Sequence, residues 1–190
     1  MAITLKKLER AHKKYKKHER RGSLYDDAVQ IADEYPLQAA ELILATWNPS
    51  QFRDFIDESP AKLKDVIEDA EPLLLDLEDN GVDISNVDFD DIGDDVKQLY
   101  SNLSVIKGVE YTGAAKVMHI LDREVFVMWD RNIRKAYKVG TDDESYLSFQ
   151  RMMQKEVKDI VKNINWPLRN EQTLAKAIDE YNYVKYTLKK

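Results

Sequence analysis

Residues 107 to 134 gather the side chains best suited to chemistry. Lys107-Gly108-Val109 forms a tight connection, Tyr111-Thr112-Gly113 follows it, and Asp130 stands just before Arg131-Asn132-Ile133-Arg134. Gly108 permits a bend between two helices. Backbone N–H groups around such a bend, and at the start of the next helix, attract phosphate as any helix start attracts anions. Lys107 would add a charge-assisted contact. The same glycine also suits a plain turn between helices that Ala114 and Ala115 allow to approach closely. Asp130 brings a carboxylate that can stabilise a developing positive charge or orient a water molecule. It equally occupies a position where an N-cap accepts backbone N–H bonds. Trp129, Trp47 and Tyr111 offer faces for stacking a planar ring, and Trp47, at the end of an apolar helix, is the most core-like of the three. Arg131 and Arg134 either reach a phosphate backbone or pair with acidic residues elsewhere in the chain.

This order of parts resembles the DNA glycosylases of the helix-hairpin-helix superfamily. Their hairpin has the form Leu-Pro-Gly-Val-Gly-x-Lys-Thr-Ala, and their aspartate lies in a Val-Asp-Thr-Asn-Val-like context. Gly108-Val109 matches the first glycine and valine, and Thr112 falls where the bifunctional members carry a Schiff-base lysine. Asp130 follows eighteen residues after Thr112, the separation the resemblance implies. The likeness covers about thirty residues, with a weaker one in the helical surroundings.

The resemblance implies an all-α, two-lobed glycosylase-like fold with the helix-hairpin-helix at about 94–121. It implies double-stranded DNA as partner, met by Lys107, Gly108, Val109, Tyr111, Thr112, Gly113, Arg131 and Arg134. Asp130 would stabilise an oxocarbenium-like sugar and orient the attacking water. Trp129 or Trp47 would stack the extruded base or wedge the duplex. Glu110 replaces the second hairpin glycine, and Thr112 leaves the amine chemistry without a nucleophile at its usual place. Lys116 lies one turn further along the same helix face. The implied activity is therefore monofunctional: release of a damaged or mismatched base by hydrolysis of its N-glycosidic bond, without a lyase step. The same residues admit a non-catalytic helix-hairpin-helix DNA-binding or scaffold protein, and the acidic surface admits a protein-interaction module.

Composition bounds the rest. The chain has 190 residues, 43% of them hydrophobic, enough to bury a core in one compact unit. With no cysteine, disulfides, thiolate zinc sites and iron–sulfur clusters are excluded, and His12, His18 and His119 are too scattered for a metal set. No cofactor is expected. The lysine-rich start lacks the apolar stretch of a secretory signal, so an intracellular protein of cytoplasm or nucleoid, away from membranes, is expected. Net charge is −6 but unevenly placed. Residues 1–22 hold nine Lys or Arg against two Glu, residues 54–95 hold sixteen Asp or Glu against two Lys, and residues 96–190 hold seventeen basic against twelve acidic side chains. The half containing the hairpin is the half an anion tolerates.

Helical periodicity dominates. A basic helix is expected over residues 1–22, stopping at Gly22, ahead of a helical domain over 23–190. Its lysines either track DNA or fold onto the acidic segment. Ser23 with Asp26 reads as a capping box, and Pro36 as the end of a second helix. Leu37–Trp47 reads as a buried helix, Pro49 and Ser59-Pro60 as starts of two more, and Pro72 as the start of a further short one. Residues 82–93 read as an acidic extended loop. Helices are expected over 94–105, from Thr112 to Leu121, from Asp130 to Val139, from a Thr141–Glu144 capping box to Ile164, and, after a turn at Asn165-Trp166-Pro167, over 171–188.

Overall fold

The computed structural model describes residues 3–58, 60–161 and 172–188, and among them every regular element is helical. The elements are α1 (Leu5–His18), α2 (Gly22–Ile31), α3 (Pro36–Trp47), α4 (Pro49–Glu58), α5 (Pro60–Asp79), α6 (Gly93–Ser104), α7 (Glu110–Leu121), α8 (Arg131–Tyr137), α9 (Asp143–Val161) and α10 (Leu174–Asn182), which continues as a π-helical turn, Tyr183–Thr187. No described helix is long and apolar enough to cross a membrane.

The centre of the molecule is α7. Its small residues Gly113, Ala114 and Ala115 are buried, and it is covered by α3 on one side and α6 on the other. A side chain at Gly113 would meet Leu44 at 3.0 Å and Val109 at 3.2 Å, so the helices approach closely only because none is there. Around this layer, α2 packs on α3 and α9 on α6. α1 lies on α10 and the π turn, burying Leu8, Ala11 and Tyr15 while its lysines face outward. The ion pairs of α1 through His12 and Lys16 reach Glu180 and Asp26, whereas Asp90 and Asp94 of the acidic segment pair with Arg151 and Lys97.

Several local expectations need correction. Ser23 does not cap α2: Gly22 is already helical, and its N-cap, Arg21, makes no side-chain cap bond. Pro72 starts nothing; it lies inside the continuous α5. One missing N–H within a helix anchored by buried Leu63, Ile67, Ala70 and Leu77 is tolerated because that packing outweighs it. α7 begins at Glu110, two residues before Thr112. The residue that closes the start of α9 is Asp142, accepting from the Ser145 N–H at 2.7 Å, one position after Thr141. Segment 82–92 is a series of turns, tied down by the Ile84 N–H donating to the Glu124 carbonyl at 3.0 Å. Ser59 and the Asn165-Trp166-Pro167 turn lie outside the described residues.

Candidate active site

The buried run Val125–Trp129 delivers Asp130 to the start of α8, in extended backbone with φ −128° and ψ −177°. That conformation suits an N-cap. Asp130 Oδ1 accepts from the N–H groups of Asn132 at 2.7 Å and Ile133 at 2.8 Å, and Oδ2 accepts from the Thr187 hydroxyl at 2.5 Å. The carboxylate is thus a helix cap and is also oriented from the far end of the chain. It remains half-buried in the wall of a pocket of about 310 Å³.

Four other parts of the chain complete that pocket: Tyr15, Glu19 and Arg21 from the end of α1, Trp47 and Asn48 from the end of α3, Thr112 and Lys116 from α7, and Asp179 with Tyr183 from the last helical segment. Glu19 is held by Arg21 at 2.9 Å and by the Tyr183 hydroxyl at 3.1 Å. Those bonds pull its pKa down despite burial, the largest influence, which acts upward.

Lys116 lines the same pocket as Asp130. It is nine-tenths buried, and its ammonium donates to the Trp47 carbonyl. Burial lowers its pKa to about 8, with Asp130 pulling it back up and Arg21 pushing it down. With that pKa about one-tenth of the lysine is neutral at pH 7 and about half at pH 8, the state in which an amine is a nucleophile or base.

Behind the pocket lies a second charged cluster. Lys176 is fully enclosed, donating to Asp179 at 2.9 Å with Glu180 at 3.8 Å. The rings of Tyr15, Tyr25 and Trp47 surround its ammonium at 4.5, 4.5 and 5.3 Å. Burial opposes its charge, yet two carboxylates and the neighbouring phenols hold its pKa well above the ordinary value. Asp179 is pushed up by burial against the pull of Lys176. Removing one member of such a pair typically costs about 3–5 kcal/mol. The cluster therefore fixes the back wall formed by Tyr15 and Trp47.

The residues expected to meet DNA are distributed unevenly. Thr112, Trp47, Trp129, Asp130 and Arg131 do line the pocket. Lys107 is exposed on the connection. Gly108, at φ +84°, is buried beneath α4, where an added Cβ would meet the Phe55 backbone nitrogen at 2.5 Å. Its carbonyl accepts from Asn48 at 3.1 Å, which puts it one side chain behind the pocket wall. Val109 is fully buried, and the N–H groups of Val109 and Glu110 donate to the Ile106 carbonyl at 3.0 and 3.2 Å. Gly108 and Val109 are therefore covered and those two donors are used, while Lys107 and Glu110 remain exposed. Gly113 is a helix-packing position. Arg134 is 8% exposed, stacked on Tyr111 at 4.6 Å, and donates to the Gly140 carbonyl at 3.2 Å, so packing occupies it. Trp129, 1% exposed, donates to the Tyr111 carbonyl at 3.0 Å and packs against Tyr100, Tyr146 and Phe149, so its ring is engaged in the core beside the pocket. Tyr111 is 38% exposed beneath Arg134, outside the pocket. Trp47, the most core-like by sequence, is a pocket wall whose Nε1 is buried without a hydrogen-bond partner among the described residues.

Lys176, Asp179 and Glu180 escaped sequence reasoning because their spacing is the same on a surface helix. α10 is buried throughout from Leu174 to Asn182, so its polar face is interior too. Among the described residues, no group of three or more His, Asp or Glu is placed to hold a metal ion. No family model, curated protein or solved structure matches the chain.

Proposed function

We propose that the chain is a DNA base-excision N-glycosylase whose reacting centre is the pocket between Asp130 and Lys116. The observation that carries this reading is that the two residues, on segments fourteen positions apart, wall one aromatic-lined cavity. Hydrolysis of an N-glycosidic bond needs a carboxylate near the anomeric carbon as positive charge develops there. Asp130 has a fixed orientation for that task, because backbone N–H groups and Thr187 hold both oxygens. Trp47, half-buried in the pocket wall, offers a ring for a base withdrawn from a duplex. Phosphate attraction falls to the exposed cations of the pocket lining, Arg21 between α1 and α2 and Arg131 at the start of α8, with exposed Lys17 and Arg20 near Arg21 in sequence. Water is the nucleophile in this reading.

One observation favours a second form of the reaction. Lys116, with its pKa lowered to about 8, is an amine suited to attack the sugar carbon itself. Duplexes carrying uracil, oxidised guanine or alkylated bases distinguish the outcomes when treated with wild type, Asp130→Asn and Lys116→Met. Free base released by wild type and lost in Asp130→Asn supports glycosylase action. A borohydride-trapped protein–DNA adduct that disappears in Lys116→Met assigns the amine route. Salt-sensitive binding without base release leaves the non-catalytic DNA-binding protein, and absence of binding at low salt ends every nucleic-acid reading.

A further inference from the structure

A groove lies between α5 and α6, on a surface that shares no residue with the Asp130 pocket. It encloses about 550 Å³. Its apolar lining is half-buried Val66 and Leu73 of α5, with the buried side chains of Ala70, Ile92 and Leu99 completing this floor. Its rim is acidic: Asp69 rises from α5, and Asp91 and Asp95 face it across the gap. Other carboxylates nearby are satisfied, Asp94 by Lys97 at 2.8 Å, Asp90 by Arg151 at 2.6 Å, and Asp76 as an acceptor from Asn80 at 3.1 Å. Asp69, Asp91 and Asp95 make no ion pair among the described residues.

We propose that this groove is the docking site for a helix of a partner protein that is apolar on one face and lysine- or arginine-rich on its flanks. An unpartnered acidic rim repels phosphate, which excludes nucleic acid and anionic membrane surfaces. The apolar floor requires more than a polycation, since lysine heads gain nothing over Leu73 and Leu99. This also argues against a second copy of the chain as occupant. Its cationic element is α1, whose apolar residues Leu8, Ala11 and Tyr15 are already committed to its own core. The length fits a helix: the stretch of α5 from Val66 to Asp76 runs about 15 Å at 1.5 Å per residue, three turns, which matches anchors at i, i+4 and i+7.

A fluorescently labelled three-turn peptide with leucine at i, i+4 and i+7 and lysine elsewhere is the probe, followed by anisotropy against the full chain. The expected result is saturable one-to-one binding that weakens with added salt. Reversal of the rim by Asp69→Lys with Asp95→Lys weakens it by about tenfold or more, as loss of complementary charge does. Leu73→Ser weakens it with the rim intact. Both sets of substitutions are at exposed or half-exposed positions, and far-UV circular dichroism verifies that the helices persist. The proposal is overturned if the peptide does not bind, if the rim variants bind it equally, or if a leucine-free lysine peptide binds as well. It is also overturned if the chain alone forms salt-sensitive oligomers that the rim variants dissolve, which would give the groove to a second copy.

Discussion

Lys116 makes a prediction that can be worked through quantitatively. Its pKa falls from 10.5 to about 8 on folding because burial disfavours the ammonium. The folded state therefore binds fewer protons than the unfolded chain between these values, and stability rises with pH through that window. Below about pH 8 both states carry the proton, and the cost of burying it is fully present. Two and a half units correspond to about 3 kcal/mol, of which about 2 kcal/mol is recovered between about pH 7.5 and pH 10. Other lysines titrate in the same range, so the comparison is with Lys116→Met, which keeps the stem and deletes the charge. Urea unfolding of both proteins at the two pH values isolates the term: wild type gains about 2 kcal/mol more than the variant on going alkaline. The lost bond to the Trp47 carbonyl shifts the variant equally at both pH values and cancels. Parallel pH dependences for the two proteins would refute the claim that Lys116 is buried and readily neutralised.

Acid reveals a second buried base. His119, its Nδ1 bonded to the Phe126 carbonyl at 2.6 Å and its Nε2 to the Tyr25 hydroxyl at 2.9 Å, has its pKa lowered by burial from 6.5 to about 3. The unfolded chain takes up the proton first as pH falls, so wild type loses about 3 kcal/mol more than His119→Leu between about pH 6.5 and pH 4, read by urea unfolding. At the α6–α7 connection, Gly108→Ala costs about 2 kcal/mol or more, since the new Cβ meets the α4 backbone at a positive φ. Glu110→Gly, at φ +52°, gains up to about 1 kcal/mol by removing left-handed strain; thermal unfolding reads both.

The legible parts of this molecule are those in which local chemistry and burial agree. Leu37–Trp47 is apolar on most sides and is a buried helix; Pro49 and Pro60 begin helices as the missing N–H allows, whereas Pro36, expected to end the helix before it, opens α3 after α2 has stopped at Ile31. Asp130 was visible because the residues after it demand a cap, and the pocket placed beside that cap uses the same side chain. Where several weak signals compete, tertiary packing decides: Ser23 and Thr141 are plausible caps by type, but the chain turns at Arg21 and Asp142. Pro72 punctuates a sequence but not a helix held on one buried face. The pocket itself was only half legible. Thr112 and Asp130 share a motif and Lys116 lies on the same helix as Thr112, whereas Tyr15, Glu19, Asp179 and Tyr183 come from the end of α1 and the last helical segment, whose juxtaposition depends on how α1 and α10 pack. The hairpin glycine suits a phosphate grip or a plain turn by sequence; its close approach to Phe55 arises from α4, fifty-three residues away in sequence.

Asp130→Asn tests the central claim most directly, because asparagine caps a helix about as well as aspartate while lacking the negative charge. The two proteins are compared for single-turnover release of free base from lesion-containing duplexes, with unfolding midpoints measured alongside. A near-unchanged midpoint with release lost by about a hundredfold or more is the predicted result. Equal release by both proteins, or none from wild type across the lesion panel, would contradict it and leave Asp130 as a cap alone.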